Sequence, residues 1–361
     1  RAFLMPTDEL HGLVSGASVR ARSTPPRPPL LGEPRHRWRR DDDRGLHLPM
    51  GSGLLGRVVD AFGHPLDRGG PLTDVHREMR IVRLGQGVDA TGEFAPDALA
   101  RTHAALSDYA ELMRRHDVAA VRMVATSAAR DVSNRETFFA MTSEVLGTVV
   151  PGAVAEVITG SEEAALSFHG AIGELDSSAS PFVVVDLGGG STEVVLGADD
   201  SDDVVAGYSA DIGCVRLTER CLHSDPPTDE EVAAARAVVR EALGEALRMV
   251  PVDRARTWVG VAGTFTTLAA LALKMTTYDP DAIHLSRVGF DDLLAVCGEL
   301  LTMTRQQRAV LGPMHEGRVD VIGGGAIVVQ ELAAALGERA GIDELVVSEH
   351  DILDGIALSI A

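Results

Sequence analysis

The run Asp186-Leu187-Gly188-Gly189-Gly190-Ser191-Thr192-Glu193 concentrates more chemistry than any other stretch of the chain. A carboxylate ends an apolar run, three glycines follow, and two hydroxyls precede a second carboxylate. Glycines allow backbone N–H groups to converge on an anion without side-chain obstruction. Ser191 and Thr192 add hydroxyl donors. Asp186 is a candidate ligand for a divalent ion that bridges to phosphate, because hard oxygen ligands suit Mg²⁺. Glu193, seven residues on, can reach the same turn from the returning strand. Further glycine turns follow apolar runs at Gly213, at Gly260-Val261-Ala262-Gly263-Thr264 and at Gly323-Gly324-Gly325. The last two each open a helix, an arrangement that favours anions.

Two other groups carry charge of the right kind. Glu162 and Glu163 sit at the start of a helical pattern, where acidic side chains favour the macrodipole. One of them can instead serve as general base on water, and the sequence leaves open which. Thr126, Arg130 and Asn134 lie in a small, polar stretch after a β-rich run, and an Arg in that setting suits bidentate phosphate contact. A surface salt bridge explains the same Arg equally well.

The elements that must position these residues alternate between strand and helix. Strands are expected at 75–84, 118–126, 154–158, 182–186, 192–196, 257–261 and 345–348. Helices are expected at 96–115, 134–147, from an N-cap at Ser161 to about Gly173, at 229–247, from Gly263, through Leu336, and at the C-terminus. Residues 319–322 read as the lead into Gly323-Gly324-Gly325. This alternation indicates α/β layers.

Composition narrows the function classes. The 361 residues carry 33 Lys and Arg against 53 Asp and Glu, a net charge of −20. Hydrophobic residues make up 45% and charged ones 24%, a globular balance. The acidic excess excludes a general nucleic-acid binder, which needs clustered basic residues. No apolar run is long enough for a transmembrane helix, so no membrane partner is expected. Three dispersed cysteines, Cys214, Cys221 and Cys297, suit a reducing, cytoplasmic setting. Lys274 is the only lysine.

In order and spacing, these motifs resemble the exopolyphosphatase/guanosine pentaphosphate phosphohydrolase (Ppx/GppA) family over residues 73–361. The resemblance rests on Thr126, Arg130 and Asn134, on Gly160-Ser161-Glu162-Glu163-Ala164, and on Asp186 to Glu193. It extends to Gly213 through Arg220, Asp225-Pro226-Pro227-Thr228, Gly260 to Thr264, and Ser348 through Gly355. It implies an α/β, two-lobed actin/hexokinase/Hsp70-like (ASKHA, ribonuclease H-like) fold with a cleft between lobes, here at 73–174 and 175–361. The short form, without extra helical C-terminal domains, is similar to the actinobacterial type.

The resemblance also assigns roles. Glu163 corresponds to the catalytic base and Glu193 to a second catalytic or water-orienting acid. Asp186 corresponds to a Mg²⁺ ligand. Gly188, Gly189, Gly190, Ser191 and Thr192, with Arg130, Asn134, Gly263 and Thr264, correspond to phosphate contacts. The implied reaction is Mg²⁺-dependent hydrolysis of the terminal phosphoanhydride of polyphosphate, with guanosine pentaphosphate (pppGpp) as the alternative substrate. Homodimerisation is a family-level expectation.

Residues 1–72 follow a different pattern. They hold a proline-rich stretch at 23–29 and a basic cluster at 35–40, the text of a disordered arm. Residues 51–71 resemble a piece of flagellar and type III secretion ATPases, but the GxxxxGK[ST] phosphate loop of such enzymes is absent from the chain. The Asp-x-Gly-[Ser/Thr]-Asn-[Ser/Thr] loop that opens the Ppx/GppA pattern is also absent from this segment. An inactive or mis-started family member is therefore a third expectation.

Overall fold

The computed structural model describes residues 80–199 and 203–360, together with the backbone of two short N-terminal strands. The chain divides into a body spanning residues 1–79 and one spanning 80–361. In the first, β1 (Phe3–Met5) and β2 (Val58–Asp60) pair in parallel, Leu4 opposite Val59. The proline-rich and basic stretches, and the rest of the ATPase-like segment, lie outside the described residues.

The second body opens with α1 (Val88–Thr91), α2 (Pro96–Arg115), β3 (Val124–Ala125), α3 (Ser127–Arg130), α4 (Arg135–Leu146), β4 (Glu156–Val157) and α5 (Gly160–Ile172). Helix α2 follows directly from its sequence. Pro96 occupies the first turn, Asp97 faces the positive end, and Arg114 and Arg115 face the negative end. Its buried residues Ala98, Thr102, Leu106 and Ala110 recur every fourth position, one stripe of a helix. Leu106 and Ala110 pack with Val145 and Leu146 of α4.

Three sequence expectations need correction here. Of the strand expected at 75–84, residues 75–79 lie outside the described residues and 80–84 form no strand. Arg83 instead turns with positive φ and fixes its guanidinium on Asp320 and the Gly317 carbonyl. The strand expected at 118–126 shrinks to Val124–Ala125, because its parallel partner β4 is itself two residues long. The N-cap of α5 is Thr159, not Ser161: the Thr159 hydroxyl accepts from the Glu162 N–H at 3.1 Å.

The remainder runs β5 (Phe182–Leu187), β6 (Thr192–Gly197), β7 (Val204–Ala210), α6 (Cys214–Cys221), α7 (Asp229–Met249), β8 (Thr257–Val261), α8 (Gly263–Ala272), α9 (Pro280–Ile283), β9 (Ser286–Gly289), α10 (Phe290–Thr302), α11 (Arg305–Ala309), α12 (Ile322–Ala340), β10 (Glu344–Val347) and α13 (Ile352–Ser359). Six strands form one sheet in the order β7-β6-β5-β8-β10-β9. Strands β5, β7, β8 and β10 run in one direction, and β6 and β9 run against them.

Both faces of the sheet are covered, which explains why β5 reads as a continuous apolar run rather than an alternating one. Val183, Val185 and Leu187 face the larger core with α6, α7, α8, α10 and α12. Val184, Val195, Val259 and Val346 face Ala164 and Phe168 of α5. Asp186 and Glu193 share the α5 side by the two-residue period of their strands.

A fourth correction concerns Gly323-Gly324-Gly325, expected as a glycine turn after a strand. No strand precedes it, and the three glycines lie inside the first turns of α12. A Cβ on Gly324 would stand 2.7 Å from the Cys214 carbonyl oxygen and 2.5 Å from the Thr218 hydroxyl. These glycines let α12 approach α6 and α8; they do not form a loop.

Candidate active site

The antiparallel register sets Asp186 of β5 directly opposite Glu193 of β6, and Glu193 directly opposite Ser209 of β7. Opposed residues point to the same face, so a carboxylate, a carboxylate and a hydroxyl form a row across three strands. Ser209 Oγ donates to Glu193 Oε1 at 2.7 Å. Ser167 Oγ, from α5, donates to Asp186 Oδ2. Glu163 enters the same space from the first turns of α5, and its oxygen accepts from Arg130 Nη1 at 2.9 Å. Arg130 also donates to the Ile158 carbonyl.

Close approach of α5 makes this meeting possible. A Cβ on Gly160 would lie 2.6 Å from Cβ of Ser209, so only glycine lets the helix start this near β7. At the other end, a Cβ on Gly170 would lie 1.9 Å from the Asp351 carbonyl oxygen. One on Gly355 of α13 would lie 2.0 Å from the Leu166 carbonyl oxygen.

Burial governs the electrostatics. All three carboxylates are buried, and burial raises each pKa. Asp186 is pushed up to about 7, first by burial and then by the charges of Asp351 and Glu163. Glu193 is held well above the usual carboxylate range by burial and by Glu163 and Asp186. Glu163 is also raised by burial, but Arg130 and the Thr126 hydroxyl oppose the rise.

The glycine turn between β5 and β6 is oriented by α6. The Gly188 carbonyl accepts from Cys214 N–H, and the Gly189 carbonyl accepts from both Val215 and Arg216 N–H, each at 3.0 Å. The turn's carbonyls therefore point toward α6. Gly188 N–H closes the turn on the Ser191 carbonyl.

Other sequence-predicted residues stand differently. Thr192 Oγ1 donates to the Ile212 carbonyl. The Asn134 side chain accepts from Phe94 N–H at 2.8 Å and donates to the Phe94 carbonyl at 3.0 Å, tying one loop to another. Thr264 lies beside Gly325 and hydrogen-bonds the Cys214 thiol, while Gly263 lies against the Arg318 guanidinium. The turn, Glu163, Asp186, Glu193 and Arg130 come together; Asn134, Thr192 and Thr264 have their polar atoms engaged elsewhere. Sequence reasoning missed Ser167 and Ser209. Ser167 was within reach, since it lies four residues after Glu163 and so on its helix face. Ser209 depended on the β6–β7 register.

One cluster lies apart. Glu174, His284 and His350 bring possible ligand atoms within 4.8 Å of one another. Glu349 N–H donates to His284 Nδ1 at 3.2 Å, which puts the ring proton on Nε2, facing Glu174 Oε2 at 3.1 Å. A metal would need that nitrogen's lone pair, so the arrangement is a hydrogen-bonded cluster. No three of Glu163, Asp186, Glu193 and Asp351 bring oxygens that close together.

The chain has counterparts among known proteins. The family model described as "Ppx/GppA phosphatase family" matches residues 65–360. The chain belongs to the Ppx/GppA phosphatase family. It is 72% identical to Exopolyphosphatase 2 of Mycobacterium tuberculosis over 314 residues, 87% of this chain and 97% of the relative. Among solved structures, an exopolyphosphatase-like protein is 42% identical with a TM-score of 0.76, covering 80% of this chain and 92% of the other. A Ppx/GppA family member from Aquifex aeolicus is 28% identical with a TM-score of 0.63, covering 82% and 90%. The Ppx/GppA fold is the actin-like one, so the fold expectation holds. Among the described residues no helix is long and apolar enough to cross a membrane.

Proposed function

We propose that this chain is an exopolyphosphatase that removes the terminal phosphate of inorganic polyphosphate. The observation that carries the reading is the buried carboxylate group of Glu163, Asp186 and Glu193 beside a glycine turn whose carbonyls point away toward α6. A terminal phosphate presents its negative oxygens to the turn's N–H side. Family membership and the name of the M. tuberculosis relative support polyphosphate as the substrate.

Glu163 is the base in this reading, because Arg130 opposes the neutral form that burial favours. Water attacks the terminal phosphorus and gives its proton to Glu163. The bond from that phosphorus to the bridging oxygen breaks, inorganic phosphate leaves, and the chain is one unit shorter. Glu193, held toward its neutral form, donates a hydrogen bond to a phosphate oxygen. Asp186 fits a hard divalent cation such as Mg²⁺, which takes one or two carboxylates and completes its shell with water and phosphate. Bound there, the ion would neutralise charge on the phosphate.

The test is phosphate release from long-chain polyphosphate, with guanosine pentaphosphate as competitor. Release is expected with Mg²⁺, lost in excess EDTA, and poorly restored by Ca²⁺. Absent release, or preferential cleavage of the guanosine substrate, would overturn the reading.

A further inference from the structure

The glycine turn touches two polar side chains to which neither the family resemblance nor the reaction above gives a role. A Cβ on Gly190 would lie 3.1 Å from the Ser127 hydroxyl and 3.9 Å from Arg216 Nη2. Ser127 is 4% exposed, and its Oγ is buried with no hydrogen-bond partner. An orphaned buried hydroxyl is costly unless something else completes it.

Arg216 has the opposite problem, too many partners. Its Nη2 donates to Asp131 at 2.7 Å. Asp89 and Asp211 each lie 3.5 Å from other guanidinium nitrogens. The Arg216 side chain is only 9% exposed, whereas the Asp131 and Asp211 side chains are 46% and 78% exposed. Those two carboxylates can return to water if another anion takes the guanidinium, but Arg216 itself cannot leave. The site is thus a fixed cation with exchangeable counter-ions, next to Gly190 of the turn.

We propose that Ser127 and Arg216 bind the terminal phosphate over Gly190, and that the phosphate displaces Asp131 from Arg216. This rests on the exopolyphosphatase reading and adds two contacts to it. Guanidinium matches phosphate with two parallel N–H bonds, and the serine hydroxyl gains the acceptor it lacks.

The experiment measures binding of inorganic phosphate by calorimetry and KM for polyphosphate by phosphate release, in the full chain. Arg216→Gln is expected to weaken phosphate binding and raise KM by about 10- to 100-fold. Ser127→Ala, which removes no ion pair, is expected to weaken both several-fold. Asp131→Asn is expected to act in the opposite direction, tightening phosphate binding and lowering KM. A purely structural Arg216 would make Asp131→Asn and Arg216→Gln change binding in the same direction, and that result overturns the proposal. Unchanged phosphate affinity in Ser127→Ala overturns it as well, even if Arg216→Gln fails to fold. Glu163→Gln separates the two readings. Full turnover in that variant refutes the reaction scheme itself. Loss of turnover there, with unchanged phosphate affinity in Arg216→Gln, refutes only the present inference.

Discussion

Glu162 and Glu163 are neighbours in sequence and face different surroundings. Glu162 is exposed and pairs with Arg122 at 2.7 Å, a surface pair of the kind that contributes little. Glu163 is buried against Arg130. Glu163→Gln is expected to reduce phosphate release by about 10²–10⁴-fold and Glu162→Gln to change it little; steady-state kinetics on both variants would expose a reversed ranking. A second expectation follows from the raised pKa of Glu193. A carboxyl whose folded pKa lies above its unfolded value destabilises the fold increasingly as pH rises from the unfolded value through the folded one. Glu193→Gln should therefore abolish activity and raise the melting temperature at pH 7.5, as seen by calorimetry. A lowered melting temperature would contradict this. Residue types alone left open which of the two acids is spare, and the family resemblance assigned Glu163; the structure adds that Thr159 rather than Ser161 caps α5.

At the scale of elements, the sequence delivered what local patterning controls. Helix α2 spans the expected residues, and α7 starts at the Thr228 capping box with Glu231 as its reciprocal partner. It failed where glycine has two meanings. Gly188 to Gly190 do form a turn, but Gly323 to Gly325 are helical, and only the proximity of Thr218 and Thr264 tells the cases apart. Gly324→Ala places a methyl against the Cys214 carbonyl and is expected to lose about 1–3 kcal/mol of stability, measurable by denaturant unfolding. Helices α7 and α12 are also joined by charge. Burial pushes the Glu331 carboxyl up, but Arg240 and Arg236 outweigh it and hold the pKa below the usual range. A depressed carboxylate stabilises above its unfolded pKa, about 4.3, and the contribution is lost as pH falls through the folded value. Glu331→Gln should thus be less stable than the parent at pH 7, with the difference closing below about pH 4. A difference that persists at pH 2 would point to packing instead.

Across the molecule, ion pairs tie the segment before β5 to α6 and to the turn before α12. Arg83 meets Asp320, Arg220 meets Asp89, and Arg216 meets Asp131. Arg220 lowers the Asp89 pKa despite partial burial, and Arg83 holds Asp320 low against a larger burial effect. Both contributions are present above about pH 4 and vanish as the carboxylates protonate. Hydrogen exchange at decreasing pH should therefore lose protection in residues 88–146 before β5, β8 and β10, which lie in the buried core. Simultaneous loss would show that the ties do not hold that segment. None of these pairs was legible in the sequence, because partners such as Arg83 and Asp320 lie 237 positions apart.

The glycine contacts between α5 and α13 have a mechanical meaning. Each helix presses a glycine against the other's backbone, Gly170 on Asp351 and Gly355 on Leu166, with no side chain between to yield. The two helices are splinted and must travel as one rigid piece. Glu163 and Ser167 are mounted on that piece, so any hinge that opens the site lies outside it. The exposed Leu358 on α13 therefore rides with the Glu163 carboxylate, and a probe attached there would track that carboxylate's motion from a distance.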